Sequence, residues 1–311
     1  MLRQQYGFKG YVVSDSRAVE YLYSKHNVAA DYKEAVRQVV EAGLNVRTDF
    51  TPPSDFILPL RELVKEGRLS MKTIDERVAD VLRVKFMIGL FDTPFIPDTK
   101  RADNVVHTTD AAALSLQLNR ESLVLLKNDK QLLPLDPAKM KNILVTGPLA
   151  DATGFEVSRY GPSNNVLTSV LTGLKNLSSK SVNIQYAKGC ELVDATWPES
   201  EIIHTPLTTS EQGAIDEAVA QANKSDVVIA VMGEDEKRVG ESLSRTSLGL
   251  PGRQLALLEA LHATGKPVVL VLMNGQPLTI IWKTAICLQF WKPGFLVQPV
   301  VQLLPKLYSV R

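Results

Sequence analysis

Apolar residues recur at a helical interval through residues 32–42, at Tyr32, Val36, Val39 and Val40 with Ala35 between them. Residues 11–14 (YVVS) instead form a short apolar run after the Gly7/Gly10 turn and predict a buried strand. A second short strand is expected at Leu44–Val46 after Gly43, and helical text resumes over Phe56–Val64. Thr73 and Glu76 have capping-box spacing, and Ile74, Val78, Val81 and Leu82 share one face, so a helix is predicted from Thr73 with Gly89 as its stop. The first 90 residues therefore spell strand, helix, strand, helix, helix.

Residues 91–104 (FDTPFIPDTKRADN) carry two prolines and little periodicity and are expected to link two domains. A helix is predicted at about Ala111–Glu121, followed by strands at Ser122–Leu126, Asn142–Thr146, Asn183–Tyr186, Asp226–Met232 and Pro267–Met273. Helices are expected between them at about 166–177, 210–223 and 253–264. The continuous apolar runs VVIAVM and VVLVLM suit strands covered on both faces. Strands alternating with helices imply an α/β sandwich over 105–280 with right-handed crossovers.

The composition narrows the function class. With 45% hydrophobic and 22% charged residues and a formal net charge of +1, the chain has no basic surplus of the kind nucleic-acid binding requires. No run approaches the roughly 18 apolar residues of a membrane span. Cys190 and Cys287 stand far apart, and no cluster has metal-ligand spacing, so neither a metal nor another cofactor is implied. Gly233 and Gly240 flank a loop without the lysine and hydroxyl of a phosphate loop, which argues against nucleotide binding. His26, in the polar stretch YSKHNVAADY, and His107 read as surface histidines.

Three collinear stretches carry a resemblance. Gly7-Phe8-Lys9-Gly10-Tyr11-Val12-Val13-Ser14-Asp15 resembles the G-F-x-G-x-V-V-S-D signature of family 3 glycoside hydrolases. Glu241-Ser242-Leu243-Ser244-Arg245, followed by Leu250-Pro251-Gly252, resembles the acidic loop of that family's second domain. Gly265 to Leu272, then Asn274-Gly275, resembles the strand and turn that follow the loop. Leu125-Leu126-Lys127-Asn128 and Ile143 to Pro148 add weaker matches in the same order. The resemblance implies an α/β architecture in which residues 1–90 are the C-terminal part of a (β/α)8 barrel, followed by the sandwich at 105–280.

It also implies chemistry. Retaining glycoside hydrolysis needs one carboxylate that attacks the anomeric carbon and one carboxylic acid that protonates the leaving oxygen. Asp15, ending an apolar strand where barrel active sites lie, matches the nucleophile. Glu241, in the polar loop 233–249 after an apolar strand, matches the acid/base; Glu234 in the same crowded loop is the alternative. Without the resemblance, Asp15 reads as a turn aspartate and Glu241 as part of a solvated charged loop. Ser16 stands where the family often has an aromatic residue and is, with Arg245, a candidate for substrate contact. Arg245 is expected either to orient a carboxylate or sugar hydroxyl or to form an ordinary surface ion pair.

The implied substrate is an oligosaccharide or an aryl or alkyl β-glycoside. The competing function is a non-catalytic carbohydrate-binding module or pseudoenzyme. Only two barrel strands are legible, so the chain reads as an internal fragment expected to be inactive alone. The resemblance implies a periplasmic or secreted parent, and oligomeric state is not legible. Residues 281–311 contain no Asp or Glu, although the chain has 34 of them. Back-translated and read two nucleotides on, the text from Cys287 yields Pro-Ala-Ile-Leu-Glu-Ala-Trp-Phe-Pro-Gly, which resembles the family sequence. A frameshifted, unpacked tail is therefore expected over 281–311.

Overall fold

In the computed structural model, residues 2–96, 98–106, 108–128, 131–136, 138–153, 167–178, 182–193, 205–241 and 243–279 are described. Within these, 102 and 103 are described by backbone alone, as is a further segment, 286–291. Two units divide the chain, Met1–Arg101 and Ala102–Arg311.

The first unit holds four helices: α1 (Ala18–Ser24), α2 (Tyr32–Ala42), α3 (Ser54–Lys65) and α4 (Met71–Met87). Asp31 caps α2 by accepting from the Glu34 N–H, and Gly43 ends it at φ 111, a conformation that costs glycine little. Helix α4 begins two residues before Thr73. Ser70 is its cap and accepts from the Thr73 N–H, so the hydroxyl that closes the turn lies three residues upstream of the predicted one. Helix α1 was not legible, because its short run of mixed residues spans barely two turns. Its N-cap, Arg17, adopts φ 60, uncommon outside glycine. Val19, Ala35, Val36, Val40, Leu63 and Leu69 form the unit's buried core.

The two predicted strands of this unit pair in parallel through a single bridge, Val13 to Val46. Val46 N–H donates to the Val12 carbonyl at 3.1 Å and Ser14 N–H to the Val46 carbonyl at 2.9 Å. Each segment is too short to extend the ladder further. Asn45 fastens the pair to its surroundings: its Oδ1 accepts from Val12 N–H at 2.8 Å and its Nδ2 donates to the Arg77 carbonyl at 2.8 Å. Asn45 also donates to Asp80, a buried carboxylate on α4 that Arg3 and Arg83 each approach at 2.8 Å. Burial opposes ionisation of Asp80. The hydrogen bonds from Arg83 and Asn45 and the charges of Arg3 and Arg77 outweigh it, and hold its carboxyl below the usual range.

Helix α5 (Arg101–Val105) spans the boundary, and the second unit continues with α6 (Thr109–Glu121) and is built on a six-stranded sheet. Its strands are β1 (Leu123–Lys127), β2 (Asn142–Thr146), β3 (Asn183–Ala187), β4 (Val227–Gly233), β5 (Val268–Asn274) and β6 (Ile286–Trp291). The order is β1-β6-β5-β4-β2-β3, parallel throughout except for β1. Three helices cover it: α7 (Val170–Leu177), α8 (Thr209–Asn223) and α9 (Gln254–Ala263).

Alternation along the strands sends side chains to two cores. Ile143, Val145, Ile229, Val231 and Val271 pack with Leu171 and Leu174 of α7. Leu144, Val228, Ala230, Met232 and Leu270 pack with Ile215 and Ala218 of α8 and with Leu257, Leu258 and Leu261 of α9. All seven residues of β4 and of β5 are buried, which is why those runs show no polar alternation. From β2 the chain passes over one face to β3 on one side, then over the opposite face to β4 on the other. That places a topological switch point between β2 and β4.

Within the stretch expected to be frameshifted and unpacked or arbitrarily placed, Ile286–Trp291 lies between β5, in parallel, and β1, antiparallel. A six-residue apolar and aromatic run satisfies both strand edges and removes the cost of leaving them unpaired. The other tail residues lie outside the described residues.

Candidate functional site

Asp15 follows directly on the bridged segment of the first unit and is exposed. Its Oδ1 accepts the Ser16 N–H at 2.7 Å, and its carbonyl accepts from Ala18 N–H at 3.2 Å, which starts α1. The left-handed Arg17 turns the chain away immediately beyond the carboxylate. The tips of the two bridged segments are tied by side-chain and main-chain bonds rather than by a ladder. Thr48 N–H donates to Ser14 Oγ at 2.9 Å, and Arg17 N–H donates to the Thr48 carbonyl at 3.2 Å. Asp15 thus stands on a fixed platform at the C-terminal end of a parallel pair, with its side chain in solvent. Ser16 is half-buried and touches Asp15 through its backbone. His26 lies exposed in the turn after α1, and His107 lies outside the described residues.

In the second unit, the loop bearing Glu241 leaves the carboxyl end of β4, beside the switch point. Gly233 makes that exit possible. Its φ is 139, and a Cβ there would fall 2.0 Å from the Met273 carbonyl oxygen. Gln254, fully buried at the start of α9, clamps the same residue from both sides. Its Oε1 accepts the Gly233 N–H at 2.8 Å, and its Nε2 donates to the carbonyls of Gly233 and Pro251 at 3.0 Å each. A carboxamide is the side chain suited to this task, because it offers a donor and an acceptor side by side.

The next residue, Glu234, separates the two candidate acids. Its side chain is 0% exposed and pairs with Arg245, which is 1% exposed. The other carboxylate oxygen accepts from the N–H groups of Gly275 and Gln276 at 3.3 Å each. Arg245 in turn donates to the Gly249 carbonyl at 2.6 Å. Glu234 and Arg245 are therefore spent on joining the two ends of the loop to the turn after β5. Arg245 orients a carboxylate, but that of Glu234. Its pair is buried, not on the surface. A second pair, Asp235 with Arg238 at 2.6 Å, stiffens the loop's first turn. Glu241 lies beyond these anchors, exposed at the loop's outer turn. Of the two carboxylates, Glu241 is the one presented to solvent.

Sequence reading missed Gln254 and the anchoring role of Glu234. A signal for Gln254 was present: it shares the 254, 257, 258, 261 stripe with three leucines, and a polar residue on a buried stripe demands partners. Glu234 gave no such signal, since its partner lies eleven positions away across an aperiodic loop. Among the described residues, no group of three His, Cys, Asp or Glu could hold a metal. No helix among them is long and apolar enough to cross a membrane.

The model of the "Glycosyl hydrolase family 3 N terminal domain" matches residues 1–84, and that of the "Glycosyl hydrolase family 3 C-terminal domain" matches residues 123–304. A periplasmic beta-glucosidase of Salmonella typhimurium is 37% identical over 297 residues, covering 90% of this chain and 37% of the relative. A beta-xylosidase of Formosa agariphila is 34% identical over 293 residues, 90% of this chain and 38% of the relative. The chain thus spans less than two-fifths of the length of these relatives. Among solved structures, a β-glucosidase from Erythrobacter marinus superposes with a TM-score of 0.84 at 30% identity, over 99% of this chain and 42% of that one. A β-glucosidase from Listeria innocua in complex with isofagomine gives 0.79 at 27% identity, over 97% and 39%. With both of its domains matched in order, and the second over residues 123–304, this chain belongs to glycosyl hydrolase family 3.

Proposed function

We propose that the chain carries the two acidic residues of a retaining β-glycosidase acting on O-linked β-glucosides or β-xylosides. In the first step the Asp15 carboxylate attacks the anomeric carbon and the carbon–oxygen bond to the leaving group breaks. The Glu241 carboxylic acid gives its proton to the departing oxygen. In the second step Glu241, now ionised, takes a proton from water as the water oxygen displaces Asp15. Such a pair works at a separation of about 5–5.5 Å. The observation that carries the proposal is the contrast between the carboxylates. Asp15 and Glu241 are exposed at the ends of anchored segments, whereas the Glu234 side chain is 0% exposed. Ser16 fixes the nucleophile's rotamer through its N–H. Arg245 acts on the loop rather than on the sugar.

The relatives include a beta-glucosidase and a beta-xylosidase, and either sugar class is compatible with this pair. Among the described residues, the first unit frames Asp15 with two paired segments, and the isolated chain is expected to turn over an aryl β-glucoside at no useful rate. That same framing favours a second reading, saccharide binding without turnover. A 2-deoxy-2-fluoroglucoside with an activated leaving group decides between them, because it slows the second step and accumulates the covalent adduct. After long incubation, digestion and mass spectrometry should find the sugar on Asp15, since one labelling event per chain needs no useful turnover. An adduct on a different carboxylate overturns the assignment, and reversible binding without any adduct favours the binding module.

A further inference from the structure

The strand segment that ends at Asp15 is paired through one bridge, Val13 to Val46. Tyr11 and Val13 are exposed, so no fully buried face dictates how that segment is placed along its neighbour. A slip of one residue would carry Asp15 about 3.3 Å along the strand and turn it to the opposite face. The register must therefore be set from outside the ladder.

Three backbone groups upstream of the bridge are held by side chains. Arg83 donates to the Lys9 carbonyl at 3.0 Å, Arg3 donates to the Gly10 carbonyl at 3.0 Å, and Asn45 accepts the Val12 N–H at 2.8 Å. All three side chains converge on one carboxylate. Asp80, on α4, accepts from Arg83 on Oδ1 at 2.8 Å, and on Oδ2 from Asn45 at 3.1 Å and from Arg3 at 2.8 Å. Arg3 also donates to Asn45 Oδ1 at 2.9 Å. The Gly7-Phe8-Lys9-Gly10 motif serves the same network. The Phe8 ring centre lies 5.8 Å from the Arg3 guanidinium, and a Cβ at Gly10 would fall 2.7 Å from that ring. Gly10 thus leaves room for the ring to fold back beside Arg3.

Asp80 is buried. Replacing a buried ion network by apolar side chains of similar volume is often neutral for stability, and the best-attested use of such a network is to fix a register. We propose that Asp80 is a positioning residue. Through Arg3, Arg83 and Asn45 it locks residues 9–12 against α4, and so sets where the Asp15 carboxylate stands. The consequence for attack rests on the glycosidase reading, but the lock itself does not.

Two variants of the full 311-residue chain test it. Asp80→Asn keeps the side chain's shape and removes its charge. The triple variant Arg3→Met/Asp80→Leu/Arg83→Met removes the network while filling its space, and should melt close to the wild type. The Ser16 amide proton, which is donated to Asp15 Oδ1 at 2.7 Å, gives an NMR signature of the nucleophile's placement and should shift in both variants. Labelling with the activated 2-deoxy-2-fluoroglucoside separates the rate constant of attack from the half-saturating concentration. The rate constant should fall about tenfold in Asp80→Asn and about a hundredfold in the triple variant, with half-saturation little changed. An unmoved Ser16 amide in the triple variant overturns the lock. Loss of stability in the triple variant, with Asp80→Asn labelled at the wild-type rate, also overturns it and leaves Asp80 a stabilising role alone. Labelling of Asp15 that is indifferent to both variants removes the lock and keeps the glycosidase reading. A wild type never labelled on Asp15, with a Ser16 amide that shifts in both variants, removes the glycosidase reading and keeps the lock.

Discussion

Replacing Arg245 by methionine keeps most of the side chain's apolar stem and removes only its charge and donors. The partner left behind, the Glu234 carboxylate, is 0% exposed, and its other described hydrogen bonds are two amides at 3.3 Å. A carboxylate stranded in this way is expected to cost about 3–5 kcal/mol. An exposed ion pair, by comparison, contributes about 0.2–1 kcal/mol. The two cases are therefore separable. Urea unfolding followed by tryptophan fluorescence reports on the second unit, which holds all three tryptophans of the chain, Trp197, Trp282 and Trp291. The Glu234→Leu/Arg245→Met double variant should recover most of the loss, because it removes both buried charges together. Amide hydrogen exchange should show residues 234–249 opening in Arg245→Met and closing again in the double variant. A cost below about 1 kcal/mol for Arg245→Met, or a double variant as unstable as the sum of the singles, would refute the assignment of this pair as the loop's anchor.

Three further outcomes follow from the same coordinates. Gly233→Ala should destabilise the second unit by about 3 kcal/mol or more, since its Cβ meets the β5 backbone; a melting temperature within a degree or so of the wild type would contradict this. The hydrogen bond from Arg253, with those from Thr208, holds the Glu211 carboxyl at about 2, against an ordinary value of 4.5. Because the folded value is the lower one, this stabilisation is complete above about pH 4.5 and is lost as the pH falls toward 2. Arg253→Ala should therefore move the Glu211 midpoint up toward 4.5 in a carboxyl NMR titration, and an unmoved midpoint counts against the pairing. Burial pushes the Cys190 thiol up to about 12. Peptide mapping after iodoacetamide at pH 8 should find it unmodified in the folded chain and modified in urea, and native-state labelling would contradict its burial.

The second unit was legible because its central strands β2, β4 and β5 are buried on both faces. Continuous apolar runs such as Val227–Met232 leave no amphipathic ambiguity, and helices α8 and α9 carry stripes that match the cores they cover. The short helix α1 was illegible for the opposite reason, being two turns long with Val19 as its one buried residue. The strand at 286–291 was not legible because strand pairing depends on backbone edges at β5 and β1, which a local apolar run does not reveal. At the candidate site, residue type and order pointed to Asp15 and Glu241. The division of labour between Glu234 and Glu241 was not readable, because it turns on which carboxylate meets Arg245 across an irregular loop. Neither hydrophobic period nor charge spacing carries that information.

The position of β6 sets the order in which the second unit can be finished. β1 has one neighbour in the sheet, and that neighbour is the last described strand of the chain. During synthesis β1 emerges early, with Val124, Leu125 and Leu126 turned to solvent, and must wait for almost the whole unit to follow before its backbone finds a partner. A nascent chain halted anywhere before Ile286 therefore displays an unclaimed apolar edge, open to any other strand that reaches it first.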